Sequence, residues 1–177
     1  MKSRIRRVGR RSMLGLLALA VIGPSAARAE YRQVPVVRHT VQVEIAAPPA
    51  TVWARLTQGK NLVTWCPVWK NPSNAKATLA KVGDVLDYTD AWGNGGRSVV
   101  TYLAPSKELR VAHEPNDGSY LCQAKITLTP KGNGTVLQYV EQYTDESKPA
   151  DLDATAKKME TEMSATLASL KKSAEAR

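Results

Sequence analysis

The sequence predicts an α+β domain in which a run of antiparallel strands packs against one long C-terminal helix. Three observations carry the prediction. Val37 to Trp69 reads as a strand, a turn and two short helices laid end to end. Gly- and Pro-rich punctuation then cuts the middle of the chain into short β-rich runs. Finally, apolar residues recur every three or four positions from Leu152 to Leu170.

In the first strand Val37, His39, Val41, Val43 and Ile45 alternate with Arg38, Thr40, Gln42 and Glu44, so one row faces a core and the other faces water. Ala46-Ala47-Pro48-Pro49 stops it. Proline presets a helical φ and lacks the N–H that a first turn leaves unbonded, so a helix opens there and carries Val52, Trp53 and Leu56 inward. A second short helical turn and a Trp/Pro cluster follow. The β-rich runs are Val85–Asp90, Ser98–Leu103, Leu109–Glu114, Ser119–Thr129 and Thr135–Thr144, with a weaker one near Lys76–Leu79. Gly93-Asn94-Gly95-Gly96 reads as a flexible turn, and Asn133-Gly134 as a hairpin signal, since both residues tolerate positive φ. Leu152, Ala156, Met159, Met163, Leu167 and Leu170 make one stripe on a helix of about 24 residues. Lys157, Lys158, Lys171 and Lys172 sit off the stripe with Glu160 and Glu162 among them, as expected of a solvated face. The residues after Leu170 are expected to fray.

The first 29 residues read as a secretory leader. Lys2, Arg4, Arg6, Arg7, Arg10 and Arg11 precede the apolar run Met13–Ile22, and Ala27-Arg28-Ala29 supplies the small residues that signal peptidase accepts. The apolar run is shorter than the ~20 residues a bilayer span needs. No stable membrane span is therefore expected once the leader is cleaved. Arg10-Arg11-Ser12-Met13-Leu14 is similar to a twin-arginine signal, which leaves that route and general secretion both open. The mature chain is expected to be periplasmic or secreted. Its domain organisation is a leader (1–29), an arm (30–36) and one domain (37–177). The leader holds seven of the 25 basic residues and none of the 16 acidic ones, so the net charge falls from +9 to +2 on its removal. A balance that even gives no footprint for nucleic acid.

The Pro-Pro-x-x-Val-Trp helix start at Pro48, Val82-Gly83-Asp84, and Gly134-Thr135-x-Leu137 running to Glu141 are individually loose motifs, but their order and spacing span Val37 to Leu170. In this the chain resembles the SRPBCC superfamily, the helix-grip proteins that include START-type lipid-transfer domains, polyketide cyclases and birch-pollen-allergen-like proteins. The resemblance implies a curved antiparallel sheet wrapped around the long C-terminal helix. It also implies a small hydrophobic or amphipathic ligand held between the two. Three functions follow as expectations: an exported ligand-binding protein, a polyketide cyclase/dehydratase-like enzyme, and an extracytoplasmic protein-interaction module similar to the heat-shock-ATPase activators.

Periodicity nominates the lining. Leu109, Val111 and His113 share one face, as do Tyr120, Cys122, Ala124, Ile126 and Leu128. On the last strand Leu137, Tyr139, Glu141 and Tyr143 compete with a rival inward row through Val136 and Val140. The first of those rows would bring His39, Glu141 and Tyr143 together, because an antiparallel pairing of first and last strands sets the start of one against the end of the other. Such a trio, with His113, reads either as general acid and base or as a buried histidine satisfied by a carboxylate. Trp65, Trp69, Tyr88, Trp92 and Tyr102 read as an aromatic pocket mouth or as core packing. Met159 and Met163 face the sheet from the helix. With no Phe in the chain, nearly every ring brings a polar handle. No Cys-x-x-Cys, His-x-x-x-His or Gly-x-Ser-x-Gly occurs, so neither cofactor nor metal is implied. Cys66 and Cys122 read as a disulfide or as two buried thiols. The helix-grip topology implies that they lie toward opposite ends of the sheet, which counts against a bridge that needs Cα atoms within ~7 Å but leaves both readings open.

Overall fold

The structure is a computed structural model and describes residues 34–66, 77–89, 93–118, 120–145 and 152–176. The leader, Trp69 and Trp92 lie outside the described residues. The elements run β1 (Val36–Ile45), α1 (Pro49–Thr57), α2 (Gly59–Trp65), β2 (Val85–Thr89), β3 (Gly95–Ala104), β4 (Glu108–Pro115), β5 (Tyr120–Lys131), β6 (Gly134–Asp145) and α3 (Leu152–Glu175). The six strands form one curved antiparallel sheet in the order β1-β6-β5-β4-β3-β2. Its concave face holds the helices, with α3 packed principally along β1. This is the helix-grip fold. Among the described residues no helix is long and apolar enough to cross a membrane.

The period of two in β1 is realised as expected: Val37, His39 and Ile45 are buried, and the alternate residues Arg38 and Thr40 are exposed. Pro48 caps α1 from an extended conformation, and its carbonyl accepts from the N–H of Thr51 at 2.9 Å. Gln58 is extended and separates α1 from α2. The segment around it is tied to residues 77–79 by Gly59 N–H to Ala77 O (2.9 Å) and Leu79 N–H to Thr57 O (2.8 Å). That contact replaces the weak strand expected near Lys76–Leu79: Thr78 makes only an isolated bridge to Gln58.

Two turn assignments shift. The β5–β6 hairpin pairs Lys131 with Gly134, so its loop is Gly132-Asn133, and positive φ falls on Gly132 (56°). This suits a type II′ turn, where glycine takes the first central position. Of the four residues 93–96, Gly93 alone has positive φ (92°), and Gly95 and Gly96 already belong to β3. A Cβ on Gly96 would lie 2.5 Å from the Tyr88 ring, so the missing side chain is what lets that ring cross β3.

Between Val100 and Tyr102 the β3–β4 register slips by one residue, leaving Thr101 as a bulge. Ser98 and Val100 face the core, and strict alternation would send Tyr102 there too. The bulge turns it outward instead. The end of α3 also departs from expectation. It does not fray after Leu170: Ala174 is buried, the Ala46 N–H donates to Glu175 Oε1 at 2.6 Å, and Lys171 Nζ donates to Glu44 O at 2.7 Å.

Candidate functional site

The two halves of α3 are used differently. Thr166, Leu167, Leu170 and Ala174 are buried against the sheet, whereas Met159 and Met163 are half-buried and Leu152 is 39% exposed. Under the N-terminal half lies a cavity of about 470 Å³, bounded by the concave sheet face, the α1–α2 pair and α3. That volume is in the range of small-molecule sites. Its walls are mainly apolar, from Leu56, Leu62, Leu79, Leu109, Val111 and Ile126 among others.

Polar groups enter this wall at defined points. His39 and Glu141 are direct partners across β1 and β6, and His39 Nε2 lies 3.1 Å from Glu141 Oε2. The approach is close but poorly aligned for a hydrogen bond, and His39 Nδ1 has no partner among the described residues. On the other side Cys122 donates its S–H to Glu141 Oε1 at 2.6 Å. Burial pushes the Glu141 carboxyl pKa up, but His39, the Cys122 thiol and the histidine charges together outweigh it and hold the pKa below its ordinary value. Glu141 is therefore ionised at neutral pH. Burial, then the Glu141 charge, raises both the Cys122 thiol and the Tyr139 phenol, so each keeps its proton.

A second polar strip runs along the strand ends. Ser98 Oγ and His113 Nδ1 are 2.6 Å apart, and burial lowers the pKa of His113, which favours its neutral ring. Tyr88 stands edge-on to His113 with ring centroids 6.3 Å apart. The Tyr88 and Tyr120 hydroxyls share a 2.9 Å hydrogen bond, and Tyr120 packs on Tyr143 with centroids 5.3 Å apart. Lys158 and Glu162, 3.9 Å apart on α3, line the solvent end of the cavity.

The structure thus brings His39, His113, Glu141, Trp65, Tyr88, Tyr120, Tyr139, Tyr143, Met159 and Met163 to one cavity. Leu137, Tyr139, Glu141 and Tyr143 form the inward row of β6, and the rival row through Val136 and Val140 faces away. Trp65 serves both packing and lining, since its Nε1–H is held by Arg55 O at 3.0 Å. Tyr102 is a correction: it is 44% exposed on the outer face, with the Arg110 guanidinium 4.9 Å above its ring, because the Thr101 bulge reverses its direction. Trp69 and Trp92 lie outside the described residues. Cys66 and Cys122 are buried thiols, not bridged to each other, that line the cavity. Sequence reasoning missed the Cys122–Glu141 contact, although Cys122 shares its face with Tyr120. It also placed Lys158 and Glu162 wholly in solvent.

Comparison with known proteins agrees with this architecture. The family described as polyketide cyclase / dehydrase and lipid transport matches residues 36–175. No curated protein matches. Among solved structures, the chain is similar to the Aha1 dimer from Colwellia psychrerythraea, with 23% identity over 78% of this chain and 96% of that one and a TM-score of 0.60. It is similar to Ara h 8.0201 at 11% identity, over 79% and 98%, with a TM-score of 0.62. DynU16, a protein of the dynemicin biosynthetic locus, is 18% identical with a TM-score of 0.59; the match covers 78% of this chain but only 47% of DynU16. At these identities the likeness is one of fold. The fold, its cavity and the family match together place the chain in the polyketide cyclase / dehydrase and lipid transport family of the SRPBCC superfamily.

Proposed function

We propose that this protein is an exported carrier that binds one small amphipathic molecule between α3 and the sheet. The observation that supports the reading best is the cavity: about 470 Å³, apolar over most of its wall, with polar groups gathered at the His39–Glu141–Cys122 cluster and the tyrosine strip. A ligand with an apolar body and a polar end suits it. Export rests on the leader read in residues 1–29. The test is native mass spectrometry of the protein purified from its host, before and after organic extraction, alongside uptake of a neutral fluorescent probe. A bound mass lost on extraction, and probe binding abolished by Met159→Trp, are the expected results. An empty cavity that takes up no probe would sink the proposal. Mass spectrometry of the same sample tests export, since a mature chain should begin at Glu30.

A second reading, cyclase/dehydratase chemistry, is favoured by one observation: His39, His113 and Glu141 face a common cavity. Against it, Glu141 has a lowered pKa and is already engaged by Cys122 and His39, whereas an efficient general base has a pKa near the working pH. Catalysed exchange of an acidic C–H of a bound β-diketone with D₂O, lost in Glu141→Gln, would move the balance to the enzyme. The interaction-module reading is the weakest, because an open cavity leaves a ligand site unfilled.

A further inference from the structure

The polar cluster deep in the cavity has a one-sided hydrogen-bonding character. Cys122 carries a single S–H, and it is spent on Glu141 Oε1. His39 Nε2 lies 3.1 Å from Glu141 Oε2 without an aligned hydrogen bond, and Nδ1 has no partner among the described residues either. The carboxylate beside Nε2 favours the neutral-ring tautomer that carries its proton there and leaves Nδ1 an acceptor. Nδ1 is buried, its side chain 1% exposed. A buried acceptor without a partner carries a desolvation cost that a donor would relieve. Glu141 accepts from Cys122 at Oε1 and also bonds the Tyr139 phenol, and a carboxylate has about four lone-pair positions.

The charges around the cluster point the same way. Among the described residues Glu141 is the one carboxylate in the buried wall, and the fixed cation that lines the cavity, Lys158, is at the solvent end beside Glu162. His113 is held toward its neutral form by burial. The hydroxyls of Tyr88, Tyr120 and Tyr143 can donate or accept, so they oppose neither kind of ligand. Their ring faces also suit a cationic group.

We infer that the cavity selects ligands whose buried end donates hydrogen bonds and carries no negative charge, such as a hydroxyl, phenol or amine, and that the His39–Glu141–Cys122 cluster rejects carboxylate ends. This rests on the ligand-binding reading above and narrows it to a chemical class. Fatty-acid-like anions are thereby excluded from the buried orientation.

The experiment uses the folded mature protein and displacement of N-phenyl-1-naphthylamine, an uncharged fluorescent probe, by four ligands of equal chain: 1-decanol, decylamine, decanoate and methyl decanoate. At about pH 8, where decanoate is fully ionised, decanol and decylamine are expected to displace the probe at about tenfold lower concentration than decanoate or the ester. In Glu141→Gln, decanoate should come within about threefold of decanol. Cys122→Ala, which keeps the charge, should retain the discrimination. Circular dichroism melting verifies that each variant is folded; if Glu141→Gln does not fold, the wild-type and Cys122→Ala ratios decide. Equal or tighter binding of decanoate by the wild-type protein overturns the inference while leaving the carrier reading intact, as does undiminished discrimination in folded Glu141→Gln. Failure of the probe and of all four ligands to bind overturns the carrier reading itself.

Discussion

His39 stands directly opposite Glu141 across the β1–β6 pair, and its Nε2 lies 3.1 Å from Glu141 Oε2 with both side chains withdrawn from water. Glu141 is a buried carboxylate, and removing the ring beside it leaves that charge with less compensation. His39→Ala should therefore destabilise the fold by about 3–5 kcal/mol. Glu141→Gln, which removes the charge instead, should cost about 1–3 kcal/mol. Urea unfolding of both single variants and the double variant measures the coupling. A His39→Ala loss below about 1 kcal/mol would show that the pair contributes little.

Acid sensitivity follows from the same wall. The folded-state pKa of His113 lies below its ordinary 6.5, so the unfolded chain takes up that proton first and stability falls as pH drops below about 6.5. The folded-state pKa of Glu141 lies below its ordinary 4.5, so its contribution is present above 4.5 and is lost as pH falls through the folded value. Both terms have the same sign. Melting temperature should decline in two stages on acidification, and Glu141→Gln should abolish the lower one. A profile that is flat from pH 7 to 4 contradicts this.

Gly96 is a packing requirement for the tyrosine strip. A Cβ there would meet the Tyr88 ring at 2.5 Å and the Glu114 carbonyl at 2.8 Å. Gly96→Ala should cost about 1–3 kcal/mol and push Tyr88 away from Tyr120. The strip's part in binding would show as weaker probe uptake, with Tyr88→Phe as the milder comparison. Unchanged stability would mean that β3 yields more easily than its contacts suggest.

On the outer face, Tyr102→Ala should leave probe binding unaltered. The contact with Arg110 is lost, worth about 0.5–1 kcal/mol at an exposed site. Reduced ligand affinity in this variant would reinstate Tyr102 as a pocket residue.

The last turn of α3 closes the domain rather than trailing from it. Glu175→Ala removes the acceptor for the Ala46 N–H and should cost about 1–2 kcal/mol. Truncation after Leu170 also removes the buried Ala174 and should cost more. Equal melting temperatures for the truncated and complete chains would show that the turn is dispensable.

How far the sequence reveals these features depends on what sets each one. The β1 alternation is local, so it is plain from Val37 to Ile45. The inward row of β6 is ambiguous because Val136 and Val140 are as apolar as Leu137 and Tyr139; pairing with β1 decides it, and pairing is a tertiary property. The Thr101 bulge has no Gly or Pro to announce it, which is why Tyr102 is misassigned by simple alternation. The stripe on α3 shows which face turns inward but not how far the helix stands from the sheet, and that distance brings Lys158 and Glu162 to the cavity. The Cys122–Glu141 contact is diagonal, since Cys122 is opposite Tyr143 in the register. A reading one strand at a time does not contain it.

A beam clamped at one end yields most at the other. α3 is clamped from Thr166 to Glu175 by core packing and by its ties to Glu44 and Ala46, while the stretch back to Thr155 roofs the cavity. That stretch is roughly 16 Å long at 1.5 Å per residue, so a tilt of about 5° moves its tip by more than about 1 Å. A guest of larger girth would then be accommodated by elastic deflection of one half-helix, with every strand pairing left in register.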